Sequence, residues 1–229
     1  MVKFAVCSLA IGSEYKRSVV GCSLSQARHA QKHGYDRITE ELPFDSVHRE
    51  LQWAKIPLIQ KHLASYDYIV WIDGDVLITN QDRRIDDFID LMDPEEFLLI
   101  GRDFQGLNSG VFIIKNCTKS HEFLKEVWAF QGFDRQLFHE QTAMDHLMKE
   151  DRYSRGVQTI PHEHINIMNA FDYRMDPRVH WLPGDFCIHF AGIKDVGIRT
   201  GLQDMYTRFS SSDPAGTERI RAYLRKKTI

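Results

Sequence analysis

A chain of 229 residues, 43% of them hydrophobic and 27% charged, is long enough for one large domain with a substantial core and has a soluble, globular composition. Its formal net charge of -3 excludes the surplus of lysine and arginine by which a nucleic-acid binder neutralises phosphates. Cys7, Cys22, Cys117 and Cys187 form no CxxC pair, which argues against a zinc cage and for reduced core thiols in a cytoplasmic compartment.

Val2 to Ser8 is rich in β-formers and reads as a first strand. It contains Lys3 and is too short for a membrane span or signal peptide, so a soluble protein without an anchor is expected. A helix from about Ser18 to His33 stops at Gly34, and Asp36 to Glu41 forms a second short strand. Leu51 to Leu63 is amphipathic and helical on both sides of Pro57. Tyr68 to Ile72 is a continuous apolar run, the pattern of a fully buried central strand, with Val76 to Thr79 extended beyond it. Ile85 to Leu91 fits a short helix, and Phe97 to Gly101 and Gly110 to Ile114 fit strands. Ser120 to Phe130 and Leu137 to Lys149 read as helices, Val157 to Ile160 and Cys187 to Ala191 as strands, and Glu218 to Lys227 as a basic surface helix. Strands interleaved with helices imply an α/β fold with a mostly parallel central sheet.

The chemistry is concentrated at Asp73-Gly74-Asp75, directly after the central strand. Ligands of open α/β sheets sit beyond the carboxyl ends of the strands. Residues two apart in an extended segment face the same side, so both carboxylates can reach one site. Gly74 between them lets the backbone turn and a ligand approach closely. Two hard oxygen ligands suit Mg²⁺ or Mn²⁺, with a substrate diphosphate completing the shell. A calcium loop does not fit, because position six from Asp73 is Ile78 and position twelve is Arg84. His162-Glu163-His164, as alternate strand residues with no third ligand, is a poor metal site.

Six blocks in order resemble glycosyltransferase family 34. They are Ala30-Gln31-Lys32-His33-Gly34-Tyr35, Trp53-Ala54-Lys55-Ile56-Pro57, Trp71-Ile72-Asp73-Gly74-Asp75, Leu107 to Cys117, Glu140-Gln141-Thr142-Ala143 and Gly184 to Lys194. The resemblance spans roughly residues 28 to 195 and implies a GT-A fold in a single domain. Residues 1–110 would mainly bind the nucleotide-sugar, 110–200 would form the acceptor side, and 214–229 would be the C-terminal helix. It implies that Asp73, Asp75 and His189 hold the metal, with the imidazole favouring Mn²⁺ over Mg²⁺. Lys55, Gly74, Asn108, Ser109, Gly192 and Lys194 would contact a nucleotide-sugar donor, most often a UDP-sugar in this family. Gln141 would lie beneath the anomeric carbon, and Glu140 and Asp145 are the candidate general bases. A glycan or glycoprotein would accept the sugar, with retention favoured. Members of the family carry a membrane anchor; a free-standing soluble member would suit a bacterium or a large DNA virus. Two other functions fit a metal-bearing α/β sheet less well. A sugar nucleotidyltransferase wants a Gly-rich basic loop where this chain has Ala10-Ile11-Gly12-Ser13-Glu14, and a sugar-binding module needs no metal site.

Overall fold

The computed structural model describes residues 2–40, 49–131 and 139–209. In chain order the elements are β1 (Phe4–Cys7), α1 (Ser13–Ser18), α2 (Val20–His33), β2 (Asp36–Ile38), α3 (Lys55–His62), β3 (Tyr68–Ile72), β4 (Val76–Ile78), α4 (Asp86–Ile89), β5 (Leu98–Asp103), β6 (Gly106–Lys115), α5 (Thr118–Ala129), α6 (His139–Leu147), α7 (Asp151–Ser154), β7 (Val157–Ile160), β8 (Ala170–Phe171), β9 (Cys187–His189) and α8 (Val196–Phe209).

A six-stranded sheet has the order β2-β1-β3-β6-β5-β7. β2, β1, β3, β5 and β7 run in one direction and β6 runs against them, which makes this a mostly parallel α/β sheet, as expected. A small sheet, β4-β9-β8, stands beside it. β3 is apolar throughout because both its faces are covered: Ile69 and Trp71 enter one core cluster, Val70 and Ile72 the other.

Several predicted boundaries are corrected. The helix expected from Ser18 is two helices, α1 and α2, broken at Val19 with φ −120° and ψ 18°. Its end at Gly34 is as expected, in a left-handed cap. β2 closes at Ile38. Ahead of Pro57 lies a 3-10 turn, Leu51–Ala54, and Pro57 falls in the first turn of α3, where its missing N–H costs no helical hydrogen bond. β6 begins at Gly106 and forms a hairpin with β5, so Asn108 and Ser109 lie inside a strand. The His162-Glu163-His164 segment is a 3-10 turn, His162–Ile167, with His162 Nε2 bonded to Asp176 Oδ2 at 2.5 Å. The beginning of the helix expected from Leu137 and the basic helix from Glu218 lie outside the described residues. All four cysteines are free, and burial pushes the Cys7 thiol up to about 12. No described helix is long and apolar enough to cross a membrane.

Candidate metal and nucleotide site

The chain leaves the main sheet at the end of β3 and enters the small sheet through Asp73-Gly74-Asp75. Asp73 N–H still donates to Gly110 of β6 at 2.8 Å, and Val76 N–H closes the turn on Asp73 O at 3.1 Å. Buried Gln26 of α2 donates to the carbonyls of Asp73 and Val76, which fixes the turn from below. β4 then pairs with β9 in the register Val76↔His189, and Phe190 N–H donates to Asp75 O. This pairing, 113 residues apart in sequence, brings His189 next to the acidic pair.

Asp73, Asp75 and His189 each offer a ligand atom, and these atoms lie within 4.8 Å of one another. His189 Nε2 is 3.4 Å from Asp75 Oδ1, and its side chain is 6% exposed. The imidazole stacks on Phe171 and occupies space that only glycine leaves open at 110: a Cβ there would lie 2.2 Å from His189 Cε1. Burial alone would push the His189 imidazolium down, but the bond to Asp75 holds it above its usual range. Asp75 is held low in turn, because His189 and Arg199 outweigh its burial. Asp73 is bonded on Oδ1 by Trp71 Nε1 at 2.6 Å and by Lys55 Nζ at 3.1 Å. Its Oδ2 therefore has no protein partner among the described residues.

A second network adjoins the first. Lys55, buried on α3, reaches Asp73, Glu140 Oε1 at 2.8 Å and the carbonyl of Ser109 at 3.2 Å. Burial would lower its ammonium pKa, but Asp73 and Glu140 raise it above the ordinary lysine value. Ser109 donates from Oγ to Glu140 and from N–H to Gln141 Oε1. The start of α6 is also strained. His139, one residue before Glu140, has φ 45°, the sole positive φ of a non-glycine among the described residues. Asn108 is braced on both ends: Nδ2 donates to Asp103, and Oδ1 accepts from Gly110 N–H and from buried Asn169.

The structure thus brings Lys55, Asp73, Gly74, Asp75, Asn108, Ser109, Glu140, Gln141 and His189 into one connected neighbourhood. Asp145 is placed otherwise. Its carboxylate is ion-paired at 2.6 Å with both Arg102 and Lys149, which hold its pKa down against its burial. Gly192, with φ 73°, and exposed Lys194 lie on the loop between β9 and α8. That loop is tied back by Arg199, which donates to Ile193 O and to Ser18 Oγ.

Two residues near the acidic pair carried no sequence signal. Arg199 lies over the Tyr15 ring, 5.1 Å from its centroid. Tyr15 packs on Gly74, with its Cε1 3.2 Å from where a Cβ at 74 would be. Burial, then Asp75 and Asp73, push the Tyr15 phenol far up, so it stays protonated beside the carboxylates. From Gly74 a cavity of about 330 Å³ runs along the carboxyl ends of β1 and β2 past Ser8, Ala10, Lys16, Arg37 and Thr39.

A mostly parallel α/β sheet with an acidic turn at the end of its central strand is the GT-A type of glycosyltransferase fold. Residues 22–97 and 90–197 match the galactosyl transferase GMA12/MNN10 family, and the chain belongs to that family. It is 27% identical to an uncharacterized alpha-1,2-galactosyltransferase of Schizosaccharomyces pombe, over 72% of this chain and 53% of that protein. It is 23% identical to a second alpha-1,2-galactosyltransferase of the same yeast, over 73% and 54%. The chain therefore spans about half the length of these relatives. Among solved structures it is similar to a glycosyltransferase involved in the glycosylation of the major capsid of PBCV-1 (TM-score 0.68, 19% identity, 89% of this chain and 99% of that one). The glycosyltransferase GlyE of Streptococcus pneumoniae is also similar (TM-score 0.62, 16% identity, 99% and 64%).

Proposed function

We propose that this protein transfers a sugar from a nucleotide-sugar, a UDP-sugar by family precedent, to a hydroxyl of a glycan or glycoprotein. The reaction would use a divalent cation, Mn²⁺ or Mg²⁺, held by Asp73, Asp75 and His189. The observation that carries the proposal is the convergence of these three side chains at the carboxyl end of β3, beside a cavity of nucleoside size. The donor set fits such an ion. Two carboxylates and one imidazole, gathered at one turn, are a donor set that suits Mn²⁺. Bound there, the cation would act as a Lewis acid for the negative charge on the departing diphosphate.

The chain's own residues would do the rest. Lys55 pairs with Glu140 and also holds Asp73 by its Oδ1, which leaves Oδ2 for the cation. Exposed Lys194 and buried Arg199 supply positive charge on the β9–α8 side of the acidic pair, where a diphosphate would lie. Gln141 Oε1 is occupied by Ser109 N–H, so its amide is held in one orientation. Retention is supported by the state of α6: Glu140 is paired with Lys55 and Asp145 with Arg102 and Lys149, so neither is a free general base. The curated relatives are named as alpha-1,2-galactosyltransferases, which makes UDP-galactose the first donor to try.

The test is nucleoside diphosphate release from UDP-galactose, UDP-glucose and UDP-xylose with and without Mn²⁺, for the parent and Asp75→Ala. We expect Mn²⁺-dependent release in the parent and a loss of about a hundredfold or more in the variant, on the order of 3 kcal/mol in barrier. Release that ignores both metal and substitution would end the proposal. Pyrophosphate formed from a nucleoside triphosphate would instead identify a nucleotidyltransferase.

A further inference from the structure

Arg37 is an unexplained cation. It sits on β2 opposite Val6 of β1, half-buried, and burial lowers its pKa. Its single hydrogen bond among the described residues is from one terminal nitrogen to Ser23 Oγ at 2.8 Å, and no described carboxylate pairs with it. Its Nε is buried with no partner. Removing a guanidinium from water without a counter-charge is unfavourable, so a ligand that accepts its hydrogen bonds accounts for the arrangement. Arg37 lines the same 330 Å³ cavity that opens at Gly74.

Position decides what part of a ligand it meets. β2 lies two strands from β3, roughly 10 Å at the usual strand spacing. A diphosphate anchored at Asp73 and Asp75 would leave its nucleoside end, not its phosphates, at that distance. On its outward edge a keto base, uracil or guanine, presents a carbonyl acceptor to an arginine. Cytosine and adenine present an amino donor at the same place, which an arginine repels. The cavity is near the lower limit of ligand pockets, which range over about 300–1,000 Å³, so the smaller keto base fits better.

We infer that Arg37 reads the nucleobase and selects uracil or guanine against cytosine and adenine, with Ser23 holding its guanidinium in place. This rests on the nucleotide-sugar reading above and names the residue that would set its base preference. Neighbouring Ser8 and Thr39 supply hydroxyls that can accept or donate, and so do not discriminate by themselves.

The experiment is calorimetric titration with UDP, GDP, CDP, ADP and inorganic pyrophosphate, all with Mn²⁺, on the parent, Arg37→Met and Ser23→Ala. Methionine keeps the length of the stem without donors, and Ser23→Ala only frees the guanidinium, so one usable variant survives if the other misfolds. We expect the parent to bind UDP or GDP at least about tenfold more tightly than CDP and ADP, the size of one charge-assisted hydrogen bond. Arg37→Met should shrink that ratio to below about threefold with pyrophosphate binding unchanged, and Ser23→Ala should shrink it in part. A ratio unaltered in both variants overturns the inference, as does a parent indifferent to the base. Equal weakening of all nucleotides and of pyrophosphate would assign Arg37 to the phosphates instead and also overturn it. A parent that binds no nucleotide at all would remove the transferase reading itself, a result distinct from the others.

Discussion

Lys55 Nζ lies 2.8 Å from Glu140 Oε1, with the two side chains 6% and 3% exposed. A pair so deeply buried is neutral as a unit but not in halves. Removing one partner leaves a carboxylate in the interior with Asp73 as a second like charge nearby. Lys55→Met should therefore destabilise the fold by roughly 3–5 kcal/mol in urea unfolding. The double variant Lys55→Met/Glu140→Gln should recover a large part of the loss, because the remaining uncompensated charge is removed. A single variant within about 1 kcal/mol of the parent would mean that water reaches this pair.

Gly110→Ala tests the seat of His189. The added methyl would lie 2.2 Å from Cε1 and 2.6 Å from Nδ1 of the imidazole, and 3.0 Å from Asn108 Oδ1. Neither ring nor amide is the loose end of a flexible chain, since Phe171 stacks on the one and Asn169 bonds the other. Overpacking of this kind costs about 1–3 kcal/mol of stability. The larger effect is expected on cation binding, because the ring must rotate away from Asp75. Mn²⁺ affinity, read by calorimetry with UDP present, should fall at least about tenfold. Unchanged affinity would show that His189 is not a ligand.

How much of this was legible in the sequence differs by element. β3 and its acidic turn were legible because the strand is buried on both faces, so its apolar run is continuous and the charge after it is abrupt. His189 was not legible from local pattern: in Cys187–His189 it resembles any core histidine, and only the distant pairing with Val76 gives it a site. Its place as a candidate ligand came from the family resemblance. α8 and Arg199 were missed for a physical reason. The helix docks through polar side chains as well as Leu202 and Tyr206, with Arg199 and Gln203 bonding Ser18 and Gln203 also accepting from Cys22 N–H, so its apolar positions are too few for periodicity to reveal the buried face. The break at Val19 has neither glycine nor proline to announce it. Arg37 lies on a three-residue edge strand whose cavity exists only once α2 has packed.

Asp145 separates the two stereochemical outcomes. It is a quarter exposed and held between Arg102 and Lys149. Ion pairs at such exposure contribute at most about 1 kcal/mol, so Asp145→Asn should leave stability nearly intact. Turnover of the nucleotide-sugar should fall less than about tenfold, and the product should keep the anomeric configuration of the donor, as read by proton NMR. A hundredfold loss together with an inverted product would make Asp145 the general base and reverse the retaining assignment.

Acid stability tests the loop between β8 and β9, which carries Asp176. The Asp176 carboxylate is almost fully buried and accepts from His162 Nε2, from Arg178 N–H and from Arg178 Nε. These bonds outweigh its burial and hold its pKa at about 2, against 3.8 for a free side chain. A carboxyl depressed on folding stabilises the native state above the unfolded pKa, and that contribution disappears as the folded carboxylate takes up its proton. The window is therefore from about pH 4 down to about pH 2. Because Arg178 is 68% exposed and screened by solvent, the contribution should be about 1–2 kcal/mol rather than the full shift. Unfolding free energies measured for the parent at pH 5 and pH 2.5 should differ by that much more than those of Asp176→Asn, which has no carboxyl to titrate. Equal differences for the two proteins would show that the Asp176 clamp is already made in the unfolded chain or does not stabilise the fold.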